Sequence, residues 1–354
     1  SASVQHLSLG IDISKDTFNV CLMCQFSDKY RKILGSTKFA NRLTGFQALW
    51  KWVAKHSQKY PDIAIEFLME ATGVYHENLA WYLHEQGARV VIVLANQARA
   101  FMKSEGLISK NDKIDARGLA LMSLSKNLRV WKPISAVLYR LRTQTRHYAN
   151  LQKEITRIGN QIHALEHSHL PDKLTLKQLK KQLELLHKQV AEMKKSIETL
   201  LKEDPLLEQK IKHLCSIPGV GILTAATVAA ETNGFELFTN LKQLTSYAGY
   251  DVVENQSGLK QGRTRISKKG NSHLRRILHF PSFNAVKAGG MFKELYERVY
   301  QRTKVKMKAY VAVQRKLLAL MYTLWKKNED FDVQKQVNHK LVEEVKLPLP
   351  EITS

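Results

Sequence analysis

Apolar positions between residues 7 and 125 switch repeatedly between two periods. Residues 7–13 alternate apolar and polar and carry Gly10 and Asp12, and residues 18–24 read as a hairpin partner across Ser14-Lys15-Asp16. Residues 41–56 step at helical spacing through Phe46, Leu49, Trp50 and Val53, with Asn41 placed to cap the helix. A short apolar run over 63–69 predicts a buried strand ending at Glu70. A helix over 76–86 closed by Gly87, a strand over 90–94 and a helix over 112–124 follow. Two hairpin-like strands followed by strand, helix, strand and helix predict an α/β fold with a mixed sheet, and a ribonuclease-H-like layout suits that order best.

Beyond residue 137 the period changes again. Leu151, Ile155, Ile158, Ile162 and Leu165 step by four and three. A break over 167–173 holds Pro171, and a second series then runs through Leu176, Leu179, Leu183, Leu186, Val190, Met193, Ile197 and Leu200. These are heptad seams flanked by Lys, Gln and Glu. A Pro-containing break between two seams predicts an antiparallel helical hairpin. Its apolar stripe either serves the hairpin alone or also joins a second copy. Residues 211–326 read as mostly helical, and the tail over 328–354 is polar with Pro348 and Pro350.

Composition narrows the class of partner. The chain of 354 residues carries a formal net charge of +23, with 44% hydrophobic residues, enough for a sizeable core. A surface this basic binds polyanions through counterion release, so nucleic acid is the first partner to consider. Cys21, Cys24 and Cys215 make no even framework, and Cys21 and Cys24 lie within an apolar strand pattern rather than a zinc knuckle. A reduced intracellular setting fits, without a signal peptide or an apolar run long enough to span a membrane.

Acidic residues inside apolar elements of a basic chain need a reason, because burying an unpaired carboxylate costs several kcal/mol. Asp12 follows Leu9-Gly10-Ile11 and Glu70 ends its strand; Asp112 and Asp115 stand one helical turn apart. In a ribonuclease-H-like sheet, strand-end carboxylates and a helical pair can converge, and cations must then neutralise them. Magnesium prefers oxygen ligands and suits such a set. Two such ions about 4 Å apart stabilise an in-line displacement at phosphorus. Taken singly, Asp112 is also explained as an N-cap, Asp115 as a first-turn acid and Asp12 as a turn residue. Asp16, in the turn, and Glu66, inside the strand, rank below these four.

A second constellation lies in the C-terminal half. Ile217-Pro218-Gly219-Val220-Gly221 before a helical segment resembles a helix-hairpin-helix, whose glycines let backbone approach a phosphate. Between Glu254 and Glu294 there is no acidic residue, whereas Lys260, Arg263, Arg265, Lys268, Lys269, Arg275 and Arg276 all fall there. Such a run is often a solvated face; without compensating acids it reads as a phosphate-binding surface. Ser257 precedes Gly258 in a predicted polar loop with arginines nearby, an ordinary position for a serine and also an accessible one for a nucleophile.

Together, and in this order, these segments resemble the DEDD-type insertion-sequence transposases, a group of bridge-RNA-guided recombinases related to the Piv-type DNA invertases. The resemblance spans residues 7–326. It rests on Gly-Ile-Asp12-Ile-Ser-Lys, Met-Glu70-Ala-Thr-Gly-Val-Tyr, Lys-Asn-Asp112-Lys-Ile-Asp115-Ala, Ile-Pro-Gly219-Val-Gly221, Ser257-Gly and Arg-Ile-Ser267-Lys-Lys-Gly-Asn. It implies a RuvC-like domain over 1–130, a coiled-coil hairpin over 131–204 that serves oligomerisation, a C-terminal transposase domain over 205–327 and a polar tail over 328–354. It further implies Mg2+ on Asp12, Glu70, Asp112 and Asp115, and attack on DNA by Ser257 to form a phosphoserine intermediate. Carboxylates and serine would meet across protomers of a tetramer, and the chain itself would form a homo-oligomer, dimer or tetramer. Donor and target DNA would be the substrates, a structured noncoding RNA the guide, and the cytoplasmic nucleoid of a bacterium or archaeon the setting. The family commonly has two adjacent serines before the glycine; Gln256-Ser257 here makes Ser257 the counterpart of the second.

Three other readings compete. A RuvC-like two-metal nuclease would hydrolyse DNA without a serine. A Piv-like invertase would work without RNA. A non-enzymatic nucleic-acid-binding scaffold would use the acids only as caps.

Overall fold

The computed structural model describes residues 3–71, 73–107, 112–253, 256–257, 260–261 and 265–332, with the backbone alone for 112–113, 256–257 and 260–261. It divides into two compact units, Ser1–Pro133 and Ile134–Ser354.

The first unit is a mixed α/β layer structure. Its strands are β1 (Val4–Ile13), β2 (Thr17–Phe26) and β3 (Arg31–Ala40), followed by α1 (Leu43–Ser57), β4 (Ile65–Glu70), α2 (Glu77–Glu85), β5 (Arg89–Val93), α3 (Ala95–Ser104) and α4 (Asp112–Ser125). The sheet order is β3-β2-β1-β4-β5, antiparallel across β1, β2 and β3 and parallel from β1 to β4 to β5. This mixed sheet agrees with the sequence expectation, with two additions. Strand β3 was not expected, because Arg31-Lys32-Ile33-Leu34-Gly35-Ser36 lacks a clean alternation; it is an edge strand, half exposed throughout. Helix α3 was not expected either, although Ala98, Phe101 and Met102 bury one face. The α1 cap also differs. Arg42 holds the N-cap position, whereas the Asn41 amide donates to the backbone oxygens of Ser14 and Tyr75, each at 3.0 Å.

Strand alternation sorts the core into two faces. Leu9, Ile11, Phe18, Val20, Phe67 and Met69 pack with Phe46 and Leu49 of α1 and Leu79 and Leu83 of α2. On the other face Leu68, Val91 and Val93 pack with Phe101 of α3 and Leu119 and Met122 of α4, and Cys21 and Met23 pack with Ala116 and Ala120. Cys21 and Cys24, three residues apart on β2, therefore point to opposite faces and do not share a ligand. Burial pushes both thiols up from their ordinary value.

The second unit is predominantly helical. It begins with α5 (Ala136–Glu166) and α6 (Lys173–Lys202), the two helices that the broken heptad pattern predicts. Each starts on a side-chain cap: Ser135 accepts from the Leu138 amide and Asp172 from the Thr175 amide. Leu151, Ile158 and Ile162 are buried on α5, as are Ile197, Leu200 and Leu201 on α6. Between them the seam residues Leu176, Leu179, Leu183, Leu186 and Met193 are half-buried. There follow α7 (Pro205–Cys215), α8 (Ile222–Glu231), α9 (Leu241–Ala248), the two-residue strands β6 (Val252–Val253), β7 (Gln256–Ser257), β8 (Lys260–Gln261) and β9 (Arg265–Ile266), then α10 (Ser272–Ile277), α11 (His279–Ala288), α12 (Gly290–Thr303) and α13 (Lys306–Lys327). The tail over 333–354 lies outside the described residues. No described helix is long and apolar enough to cross a membrane.

Candidate active-site elements

In the first unit, the expected acids stand on three elements packed together. The parallel β1–β4 ladder runs to the pair Ile11 and Met69, so Asp12 and Glu70 follow it, one residue on, on adjacent strands. The same alternation that sends Ile11 and Met69 toward α1 and α2 sends Asp12 and Glu70 to the opposite face, the α4 side.

Gly10 explains how close α4 comes. A methyl group at Gly10 would overlap the carbonyl oxygen of Ala116 and the amide nitrogen of Ala120. The α4 backbone thus lies directly on β1, one turn C-terminal to the Asp112–Asp115 segment. Asp12, Glu70 and Asp115 are each half-buried. Burial pushes the Glu70 carboxyl above the ordinary carboxylate value; Arg99 of α3 opposes that push and the Asp115 charge adds to it. Glu70 and Asp115 are therefore close enough to repel. Only the backbone of Asp112 is described, as the first residue of α4. Among the described residues, no group of three or more His, Cys, Asp or Glu is gathered tightly enough to hold a metal ion.

The neighbouring acids have other roles. Glu66 accepts from Arg89 Nε and from Ser123 Oγ, both at 2.8 Å, a structural tie at the far end of the sheet. Asp16 is exposed in the β1–β2 turn, where its carbonyl oxygen accepts the Asn41 amide. Tyr75 is exposed and His76 stands at the N-terminus of α2. Arg99 escaped the sequence reading because α3 did; the spacing of Ala98, Phe101 and Met102 is the signal that finds it.

In the second unit, Ser257 lies in a small hairpin rather than an open loop. Gln256 pairs with Gln261 and Ser257 with Lys260, antiparallel. On either side of it in the chain is a separate two-stranded ribbon, in which Val252 pairs with Ile266 and Val253 with Arg265. Arg263 lies outside the described residues, whereas Arg265, Lys268 and Lys269 are exposed.

The base of the ribbon is clamped. Gly249 (φ +74°) and Gly270 touch backbone to backbone, and a methyl group at Gly270 would overlap the Tyr247 carbonyl oxygen. Arg275 is half-buried, and its Nη1 donates to the Ala248 carbonyl oxygen at 2.7 Å, so it ties α10 to the end of α9. Asn271 caps α10 through Oδ1, and its Nδ2 donates to Glu231 Oε2 at 2.7 Å. The Glu231 side chain is fully buried and also accepts Arg146 Nε at 2.7 Å and Nη2 at 2.8 Å, a two-pronged ion pair from α5 to α8. Burial by itself raises the Glu231 carboxyl, but the bonds from Arg146 and Asn271 prevail and hold it below the ordinary value. Sequence reading missed this cluster. Its signal was a glutamate closing the apolar run Ala225-Ala226-Thr227-Val228-Ala229-Ala230.

The two glycines of the Pro-Gly turn separate in role. Gly219 has φ +88°, and a methyl group there would lie 2.6 Å from the Pro281 oxygen and 2.8 Å from the Ala285 nitrogen. The backbone it admits is that of α11. Gly221 is exposed at the N-terminus of α8 with open space around it.

In the first unit, acids thus stand at two adjacent strand ends beneath an overlying helix, and in the second a cationic segment runs beside a small ribbon. Two family models match the chain: an IS110 DEDD transposase model over residues 9–171 and the IS116/IS110/IS902 transposase model over residues 211–297. The chain belongs to this family of insertion-element transposases and is an enzyme of the DNA transposase or recombinase class. A pilin gene-inverting protein of Moraxella bovis is 28% identical over 333 residues, covering 92% of this chain and 97% of the relative. A transposase for insertion sequence element IS1111A of Coxiella burnetii is 23% identical over 296 residues, covering 76% of this chain and 75% of the relative. Among solved structures, T. thermophilus RuvC in complex with a Holliday junction substrate covers 35% of this chain and 99% of its own, at 11% identity and a TM-score of 0.27.

Proposed function

We propose that this transposase cuts and rejoins DNA through a covalent bond to Ser257, with Asp12, Glu70, Asp112 and Asp115 holding Mg2+. The observation that carries the metal half is the packing of α4 on Gly10, on the sheet face to which Asp12 and Glu70 project. An all-carboxylate donor set, two of whose members repel each other, suits a hard divalent cation. When bound, magnesium supplies charge neutralisation at the phosphate under attack.

In the protein's part of the reaction, the Ser257 oxygen attacks the phosphorus of a DNA phosphodiester. A new P–O bond to serine forms as the bond to the deoxyribose oxygen breaks; the serine proton is lost and the departing strand leaves as a free hydroxyl. Attack by a hydroxyl of the second DNA on the phosphoserine reverses these roles and frees Ser257. Arg265, Lys268 and Lys269, exposed beside the ribbon, hold phosphates, together with Lys260 and Arg263, and Gly221 presents the α8 N-terminus to a backbone phosphate. Arg275 serves the same surface indirectly, by fixing its base. In this reading donor and target DNA are chosen by a structured noncoding RNA, and the helical pair α5–α6 joins protomers.

A second reading has specific support: similarity over nearly the whole of a pilin gene-inverting protein favours DNA inversion, which in this reading proceeds without a guide RNA. Whether a discrete RNA copurifies with the protein separates the two.

The deciding experiment incubates the protein, Mg2+ and labelled DNA carrying the element's ends, with and without its noncoding RNA, and looks for a denaturation-resistant protein–DNA adduct. An adduct lost in Ser257→Ala establishes the serine mechanism. Cleavage without an adduct, unchanged in Ser257→Ala, replaces it with two-metal hydrolysis.

A further inference from the structure

The second unit contains a cleft of about 860 Å³ between the β6–β9 ribbon and helices α12 and α13. Its charge is one-sided. Arg265, Lys268, Arg302, Lys308, Arg315 and Lys316 line it, and among the described residues no aspartate or glutamate does. On α13 the lining positions 308, 311, 312, 315 and 319 form one helical face, with cations at 308 and 315 flanking Val311 and Ala312.

The floor is aliphatic, and part of it is uncovered. Val252, Val305 and Met307 are 56%, 43% and 51% exposed. Val252 belongs to the ribbon and stands five residues from Ser257 along the chain.

We propose that this cleft binds a nucleic-acid strand whose bases are unpaired, and that it leads that strand along the ribbon toward the Ser257 hairpin. The argument is one of complementary chemistry. A ring of cations matches phosphates. A duplex keeps its base faces stacked inside and presents phosphates outward, which would leave an aliphatic floor open to water. A strand with its bases turned out covers that floor while its phosphates reach the cationic rim. The proposal rests on the reading of this chain as an enzyme that opens and rejoins DNA, and it extends the basic segment over 260–275, through Arg265 and Lys268, onto Arg302, Lys308, Arg315 and Lys316 of helices α12 and α13.

The test measures binding of a labelled single-stranded oligonucleotide and of its duplex to the full chain, across a salt series. The wild-type protein binds the single strand more tightly than the duplex. The double variant Arg302→Glu/Arg315→Glu loses at least about tenfold in single-strand affinity, and its salt dependence flattens by about 1.4 in log–log slope, roughly 0.7 for each lost phosphate contact. The floor variant Val305→Asp/Met307→Asp, at exposed positions, weakens single-strand binding and leaves duplex binding unchanged. Wild-type affinity for the single strand in both variants overturns the proposal. So does loss of self-association in sedimentation without loss of strand binding, which assigns the cleft to a second copy. The Ser257→Ala protein keeps wild-type strand binding, so the two readings fail separately. An adduct formed normally by the cleft variants, with normal strand binding, removes the cleft alone. Strand binding lost in the variants, with no adduct in the wild type, removes the serine mechanism alone.

Discussion

Gly10 of β1 and Ala116 of α4 meet backbone to backbone, with no room for a single carbon between them. That contact sets the height of α4 above the sheet, and with it the height of the Asp112–Asp115 turn above Asp12 and Glu70. Gly10→Ala must lift or tilt α4. Overpacking of this kind costs about 1–3 kcal/mol, and displacing a catalytic group by about 1 Å costs on the order of 100-fold in rate. A variant that remains folded by circular dichroism but cleaves DNA at least about 100-fold more slowly is expected. Wild-type cleavage would show that the height of α4 does not matter.

Glu70 and Asp115 repel each other in the absence of a cation. Asp115→Asn removes that repulsion and one carboxylate of the proposed cation set. The wild-type protein gains stability on addition of Mg2+ or Mn2+, as any ligand of the folded state confers, and the variant gains less. Melting curves with and without the cation check both halves; an equal gain in the two proteins would place cation binding elsewhere.

The Glu231–Arg146–Asn271 cluster ties α5 and α8 to the start of α10. Removing one partner of a buried ion pair costs about 3–5 kcal/mol, and Arg146, 44% exposed, places Arg146→Ala toward the low end. The Glu231 carboxyl is held below its ordinary value, so its contribution is complete above the unfolded-state value and fades as pH falls through the folded one. The wild-type advantage over Glu231→Gln in urea unfolding is expected to be largest near neutrality and to shrink in acid. An advantage that grows with acidity would contradict the assignment.

Gly219 and Gly221, two residues apart, are expected to differ sharply. Gly219→Ala meets both a positive φ and the α11 backbone, and loses about 1–3 kcal/mol. Gly221→Ala enters open space at an N-cap, where alanine costs at most about 1 kcal/mol relative to glycine. Denaturant midpoints compare the two directly. Equal losses would mean that the turn, not the α11 contact, limits both.

Much of this architecture is legible from local pattern. Alternation and 3.6-residue stepping are properties of neighbouring residues, so β1, β2, β4, β5, α1, α2 and α4 could be read directly, as could the two long helices separated by Pro171. The order of Asp12, Glu70, Asp112 and Asp115 and the cationic stretch after Glu254 belong to the sequence in the same way. Tertiary structure decided what depends on distant partners. Strand β3 exists because β2 offers it an edge, not because its own residues alternate. Gly10 and Gly219 are accounted for by helices more than sixty residues away in the chain. Glu231 is a buried acid whose guanidinium partner arrives from α5, 85 residues earlier, and no local pattern carries that pairing. The cleft between the ribbon, α12 and α13 likewise appears only when the three are packed. Side-chain period is a local property of the chain, whereas charge compensation and steric exclusion belong to the assembled fold.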